Sequence, residues 1–368
     1  MQTKRTRIIL LCGGISPEHN VSLSSAETAA RELEAEKYDI LPVCIRHDGR
    51  WLFPSSYLGK DRVPNDIIEC FDMFRASSHS AEKNLKIAPV ENVLPTLKSY
   101  DPEVVFILLH GKGGEDGIIQ AFLEAGGFRY TGSGVLASAL GMDKIRCLRI
   151  LAGMGYLAPP YVFQLEIPQS PDFTRIIRTA EKKFGYPCFV KPARVGSSVG
   201  MNIAENREEL EQSLTQAAQF DSQLVIEEFI RGTEITCGIL DSITKTGEID
   251  RTVFHPTEIV VKQSSFFDYK SKYTPGMTEE ITPARISEEM TKRVQDTAAE
   301  IHKLIGCAGM SRVDMIIRDQ DIYILEINTI PGMTPTSLLP QGAKASGIEF
   351  SSLLDAIVRH ALYANRER

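Results

Sequence analysis

Residues Arg312–Ser337 read RVDMIIRDQDIYILEINTIPGMTPTS, and this stretch decides the fold. Two β-branched, apolar flanks, SRVDMII and IYILEIN, predict strands joined by the polar turn Asp319-Gln320-Asp321. A hairpin centred on Gln320 sets opposite each other the residues whose numbers sum to 640. Arg312 then faces Asn328, and Asp314 faces Glu326. Strand alternation puts all four on one face, with directly opposed Cβ atoms about 4.5–5.5 Å apart. Two carboxylates held that close are costly without a positive charge between them. A hard cation with oxygen ligands answers that cost, and Mg²⁺ held this way commonly serves a nucleotide phosphate.

Outward from the hairpin, 368 residues predict two or three domains. Hydrophobic content of 43% and charged content of 24% are those of a soluble globular chain. The net charge of −7, with no basic stripe, argues against nucleic acid as a partner. The opening MQTKRTRIILLCGG is basic then apolar, but its apolar run is too short for a signal peptide. No stretch is long enough to span a membrane. Seven scattered cysteines without CxxC spacing predict neither disulfides nor zinc, and point to a reducing cytoplasm.

The first third alternates strand and helix: strand Arg7–Cys12, helix Ser22–Ala35, strands Tyr38–Ile45 and Val104–Leu109. That order predicts a parallel, doubly wound sheet. Residues Arg50–Pro95, with four prolines, read as an irregular elaboration. Beyond the Gly132-Ser133-Gly134 turn come helix Asp143–Leu151, strand Cys188–Lys191, helix Arg207–Gln219 and strand Leu224–Phe229. Strands Glu234–Leu240 and Arg251–Val261, the polar segment Lys262–Pro275, helix Glu288–Leu304 and a final helix complete the chain. The predicted units are 1–132, 133–228 and 229–368.

Lys191-Pro192-Ala193-Arg194-Val195-Gly196-Ser197-Ser198-Val199-Gly200 leaves a strand and enters a loop whose backbone N–H groups can surround an anion, with Lys191 at its base. The same residues fit G-x-S-x-G, the serine-hydrolase elbow. That motif needs its serine directly between strand and helix, and the spacing here is wrong. Gly132–Ala137 mimics a dinucleotide fingerprint without the acidic residue ~20 positions on, so a tight turn into a helix is the better reading. His110–Gly117 and Gly13–Ser22 follow buried strands, where parallel sheets carry ligand crevices. Ser22 reads as a helix cap. Glu227 and Glu234 flank a strand-turn-strand, and Lys262–Pro275 reads as a lid.

Taken together, GG-x-S-x-E-H at Gly13–His19, HG-x-x-GEDG at His110–Gly117, MDK at Met142–Lys144 and KP-x-x-x-GSSVG at Lys191–Gly200 resemble the ATP-grasp superfamily. With KY at Lys272–Tyr273, RVD at Arg312–Asp314 and EIN-x-x-PGMT-x-x-SL at Glu326–Leu338, they closely resemble the D-alanine–D-alanine ligases. The resemblance covers almost the whole chain in the family's order. It implies an α/β fold, α+β in part: an N-terminal Rossmann-like domain followed by an ATP-grasp pair with ATP between its halves. Lys144, Lys191 and Ser198 would meet the phosphates, and Glu227, Glu228, Ile230 and Glu234 the adenine and ribose. Asp314, Glu326 and Asn328 would hold two Mg²⁺, with Mn²⁺ able to take their place. Glu18, with His110 and Glu115, would receive the first D-alanine. Ser197, Tyr273 and Glu18 would close the lid, with Lys272 reaching the γ-phosphate. Ser337 and Leu338 would receive the second D-alanine's carboxylate, and Arg312 and the Gly332 N–H the reacting oxyanion. A cytoplasmic homodimer is implied. Asn20 and Phe267 depart from the family pattern, and Tyr273 favours an amine over a D-lactate nucleophile.

Overall fold

The computed structural model describes residues 4–55, 65–76, 85–167, 172–196, 199–261 and 278–364. Ser197, Ser198, Lys272, Tyr273 and the segment expected to be a lid lie outside them. Three sheets organise the rest.

The first sheet runs β4-β3-β2-β1-β5, from β1 (Thr6–Gly13), β2 (Tyr38–Ile45), β3 (Trp51–Pro54), β4 (Leu85–Ala88) and β5 (Val104–Ile107). β1 pairs in parallel with β2 and β5, as strand–helix alternation predicts. Its run Ile8–Cys12 is wholly buried, which is why it reads as continuously apolar. The described parts of Arg50–Pro95 are more regular than expected. β3 and β4 extend the sheet with antiparallel pairings, and helices Asn65–Arg75 and Val90–Tyr100 belong to the same stretch. Pro54 closes β3 and Pro95 sits inside a helix, so neither proline marks a loop.

The second sheet, β6-β9-β7-β8, is antiparallel throughout: β6 (Tyr161–Gln164), β7 (Cys188–Pro192), β8 (Asn202–Ala204) and β9 (Leu224–Glu228). Helices Thr174–Lys183 and Arg207–Ala217 share its core through Ile177, Leu210 and Leu214.

The third sheet, β13-β12-β10-β14-β15, comprises β10 (Thr233–Ile243), β12 (Thr257–Val261), β13 (Thr278–Ile281), β14 (Met310–Arg318) and β15 (Asp321–Asn328). β11 (Ile249–Val253) pairs with β10. The single strand expected over Arg251–Val261 is therefore two, interrupted at residues 254–256 where Pro256 has no N–H to donate. Helix Glu288–Ile305 covers this sheet. Ser287 Oγ caps it by accepting from Met290 N (3.2 Å), Glu288 and Glu289 face its N-terminal dipole, and Gly306 ends it at φ 80°. Ala137, Cys147 and Leu151, from helices Val135–Met142 and Lys144–Gly153, enter the same core. The C-terminal helix, Phe350–Tyr363, joins the first and third sheets. Its Leu353, Leu354, Ile357 and Val358 share a core with β1 and with Leu240 and Met310. Those four side chains contribute roughly 6–12 kcal/mol of gross burial, so truncating them weakens the junction between the two sheets.

Candidate active site

The β14–β15 hairpin carries the pairs the sequence predicts, Arg312 with Asn328 and Asp314 with Glu326. The turn is shorter than expected. Arg318 pairs with Asp321, leaving Asp319 (φ 58°) and Gln320 as the turn, and a bulge after Asp314 inserts Leu325 and restores the register at the site. The two carboxylates also have separate cations. Arg312 Nε and Nη2 donate to Asp314 Oδ1 and Oδ2, both at 2.8 Å, and Lys144 Nζ stands 3.3 Å from Glu326 Oε2. Thr236 Oγ1 (2.6 Å) and Asn328 Nδ2 (3.0 Å) also donate to Asp314. Burial opposes the charge on Arg312, but Asp314, Glu326 and Glu115 outweigh it and hold the guanidinium above its ordinary value.

Among the described residues no cluster of three or more His, Cys, Asp or Glu stands at metal-binding geometry. Asp314 and Glu326 supply two carboxylates. A half-turn of the Asn328 amide would present its oxygen. That set is hard and all-oxygen, which suits Mg²⁺ and not a softer metal.

A cavity of about 430 Å³ opens on one side of the hairpin. Glu18, His110 and Glu115 form its N-terminal wall, Lys144, Arg312, Glu326 and Asn328 its floor, and Gly332, Ser337 and Leu338 another wall. His110 Nδ1–H donates to the Ile330 carbonyl (3.1 Å), and Glu115 Oε1 accepts from the Ile330 N–H (3.3 Å). Glu115 Oε2 also accepts from Gly111 N at 2.7 Å. Burial, then the nearby Glu18 charge, pushes the Glu115 carboxyl up to about 8. Burial likewise pushes His110 down, against the pull of Glu18. Gly111 stands at φ 67°, where a side chain is strained, and a Cβ there, 2.7 Å from Glu18 Oε2, would also displace that carboxylate. Ser337 precedes helix Leu338–Ala345, whose free N–H groups and dipole favour a carboxylate. The Ser337 hydroxyl accepts from Thr334 N at 3.1 Å.

A second cavity, about 480 Å³, lies between the second and third sheets. Lys191, Glu227, Glu228, Ile230 and Glu234 line it, and so do Asp314 and Glu326. Lys191 Nζ is ion-paired with Glu227 Oε2, both side chains being buried. Glu227 Oε1 is buried with no hydrogen-bond partner among the described residues, an acceptor suited to a ligand's amino group. The turn from β9 to β10 carries Ile230 across. A Cβ on Gly232 in that turn would lie 2.2 Å from the Ile317 carbonyl. Both cavities are lined by Glu326, so they meet at the hairpin.

Three further expectations from the sequence meet the structure here. Ser22 is not a cap: the helix starts earlier, at His19–Glu32, and the buried Ser22 hydroxyl accepts from Gly13 N (2.8 Å) and donates to the Leu108 carbonyl (2.6 Å). It ties together the two loops that carry Glu18 and His110. The described elements on either side of G-x-S-x-G are the antiparallel strands β7 and β8, and not the strand and helix that a serine-hydrolase elbow joins. Gly132–Ala137 leads into helix Val135–Met142, as the tight-turn reading expects. Sequence reasoning missed Thr236 and Glu280. Thr236 sits directly opposite Asp314 on β10, and Glu280 lines the first cavity from β13. Neither belongs to a motif that a local pattern could flag.

Residues 7–133 match the family model D-ala D-ala ligase N-terminus, and residues 150–359 match D-ala D-ala ligase C-terminus. A D-alanine--D-alanine ligase of Leptospira interrogans serogroup Icterohaemorrhagiae serovar Lai (strain 56601) is 38% identical, covering 97% of this chain and 99% of its own. The crystal structure of VanG D-Ala:D-Ser ligase from Enterococcus faecalis superposes with a TM-score of 0.79 at 33% identity, over 98% of this chain and 100% of that one. The D-alanine--D-alanine ligase of Bacillus anthracis complexed with ATP gives 0.72 at 28% identity, over 97% of each. With both family models matched in order and a relative this similar over its full length, the chain belongs to the D-alanine–D-alanine ligase family.

Proposed function

We propose that the chain joins two D-alanines into D-alanyl-D-alanine at the expense of ATP, releasing ADP and phosphate, as a cytoplasmic, homodimeric enzyme of peptidoglycan precursor synthesis. One observation carries the reading: the cavity walled by Glu18, His110, Ser337 and Leu338 and the cavity holding Lys191, Glu227 and Glu234 share Glu326. A carboxylate bound in the first lies next to a phosphoryl donor bound in the second. ATP is also the ligand named for the Bacillus anthracis structure. No helix of the described residues is long and apolar enough to cross a membrane.

In this mechanism Glu18 holds the ammonium of the first D-alanine, beside His110 and Glu115. The carboxylate oxygen of that D-alanine attacks the γ-phosphorus of ATP, giving the D-alanyl acyl phosphate and expelling ADP. Lys144 and Lys191 offset phosphate charge, and Glu227 Oε1 accepts from the adenine amino group, with Glu234 at the ribose. Asp314, Glu326 and Asn328 would hold Mg²⁺, which would supply positive charge against the transferring phosphoryl group. Ser337 and the start of helix Leu338–Ala345 receive the carboxylate of the second D-alanine. Its ammonium gives one proton to solvent, and the free amine attacks the acyl carbon and expels phosphate, which carries off the second N–H proton. Arg312 and the Gly332 N–H donate to the oxyanion that forms. Ser197, Ser198, Lys272 and Tyr273 belong to the same proposal as the closing side of the site.

The test is ATP-dependent phosphate release with D-alanine alone, compared with D-alanine plus D-serine or D-lactate. Turnover with D-alanine alone, giving the dipeptide, is the expected result; none overturns the reading. The similarity to a D-Ala:D-Ser ligase makes D-serine the alternative acceptor. A mixed D-alanyl-D-serine product formed in preference would favour it.

A further inference from the structure

Glu280 stands on β13, the edge strand of the third sheet, and lines the amino-acid cavity along with Arg312, Ser337 and Leu338. Gln341 Nε2 donates both to Glu280 Oε2 and, at 2.7 Å, to the Thr336 carbonyl. The Gln341 amide therefore braces Glu280 against the segment leading into helix Leu338–Ala345. On the proposed reaction this is the acceptor side of the cavity. The other carboxylates of the cavity have different work. Glu115 holds the N–H groups of Gly111 and Ile330, Glu326 faces Lys144, and Glu18 lies against Gly111. Burial pushes the Glu280 carboxyl up, while Gln341 and the Arg312 charge pull it down. A cation beside it would offset that burial cost. The acceptor amino acid arrives at neutral pH with one, its ammonium. A 2-hydroxy acid of the same shape carries none.

We infer that Glu280 reads the charge of the acceptor: it receives the ammonium of the second D-amino acid and so favours amine acceptors over 2-hydroxy acids, while Gln341 fixes its orientation. The inference rests on the ligase reading above, and it assigns Glu280 to specificity and not to bond making.

The test compares wild type, Glu280→Gln and Glu280→Asp in mixtures of D-alanine and excess D-lactate, reading the acceptor KM for D-alanine and the dipeptide-to-depsipeptide ratio. Glutamine keeps an oxygen for Gln341 but loses the charge. The expected result for Glu280→Gln is an acceptor KM raised about tenfold or more, with a matching fall in the ratio. The KM values for ATP and for the first D-alanine stay unchanged, and Glu280→Asp keeps the wild-type preference. A folded Glu280→Gln enzyme with unchanged acceptor KM overturns the inference. Glu280→Thr, suited to an edge strand, makes the same comparison if the glutamine variant does not fold. A wild type that forms no dipeptide refutes the ligase reading, whereas a dipeptide-forming wild type matched by Glu280→Gln refutes only the role of Glu280.

Discussion

Glu115 Oε1 accepts a hydrogen bond from the backbone N–H of Ile330, 215 residues further along the chain. This contact crosses from the first sheet's loops to the segment bearing Gly332. Its carboxyl, ordinarily near 4.5, is pushed up to about 8. The folded chain therefore keeps a proton that the unfolded chain releases between those values. Its stabilising contribution is complete below the lower value and is lost as pH rises through the higher. Glu115→Gln lacks this titration. Urea unfolding at about pH 5 and about pH 8.5 should show the wild type losing at least ~1 kcal/mol against the variant between the two. A difference independent of pH would refute the assignment.

Thr236 Oγ1 donates at 2.6 Å to Asp314, its cross-strand partner on β14, and Thr236 is buried. Thr236→Val keeps the shape and removes a bond to a charged acceptor, which costs about 1.5–3 kcal/mol. Thermal unfolding should register that loss and steady-state turnover should fall about tenfold, whereas Thr236→Ser should restore both. Full activity in the valine variant would mean that Asp314 needs no such anchor.

Glu326 is shared by both cavities and faces Lys144. Glu326→Gln preserves its size but removes its charge, and should lower kcat at least ~100-fold while leaving the unfolding midpoint close to wild type. Near-normal turnover would sink the metal role of this carboxylate.

Asp241 lies behind the site in a buried network. It accepts from Arg251 Nε (2.7 Å) and bonds His302 Nε2 (3.0 Å), whose Nδ1 meets Ser311 Oγ at 2.7 Å. The order Ser311–His302–Asp241 imitates a hydrolase triad, but Ser311 is fully buried beside Arg312 and no substrate reaches it. Burial pushes Asp241 up, yet His302 and Arg251 prevail and hold it well below the usual carboxylate range. Its stabilisation is thus present above about pH 4 and lost as acidity increases. Asp241→Asn should cost about 3–5 kcal/mol at neutral pH and flatten the acid limb of the stability curve. An unchanged acid limb would show that the network contributes nothing there.

The hairpin was legible because strand alternation and a polar turn fix which residues share a face, and Arg312, Asp314, Glu326 and Asn328 do. Its centre was not. A two-residue turn and a bulge at Leu325 sum to the same register as a three-residue turn, and a bulge leaves no trace in composition. Arg50–Pro95 misled because Pro54 stands at a strand end, where proline is tolerated, and Pro95 stands inside a helix that forms despite it. Ser22 misled for a related reason. A serine near a helix start suits a cap, and only tertiary contact reveals that its hydroxyl bridges Gly13 and Leu108. Thr236, Glu280 and Asp241 carry no motif, since each acquires its role from a partner far away in the chain.

The grip of His110 and Glu115 on the two sides of Ile330 also bears on inheritance. A chimera that takes residues 7–133 from one relative and 150–359 from another splits one constellation between two parents. The exchange succeeds only where the incoming loop presents its peptide to the resident histidine and glutamate at the same height. Such an exchange should therefore be tolerated at the surface and penalised at this contact.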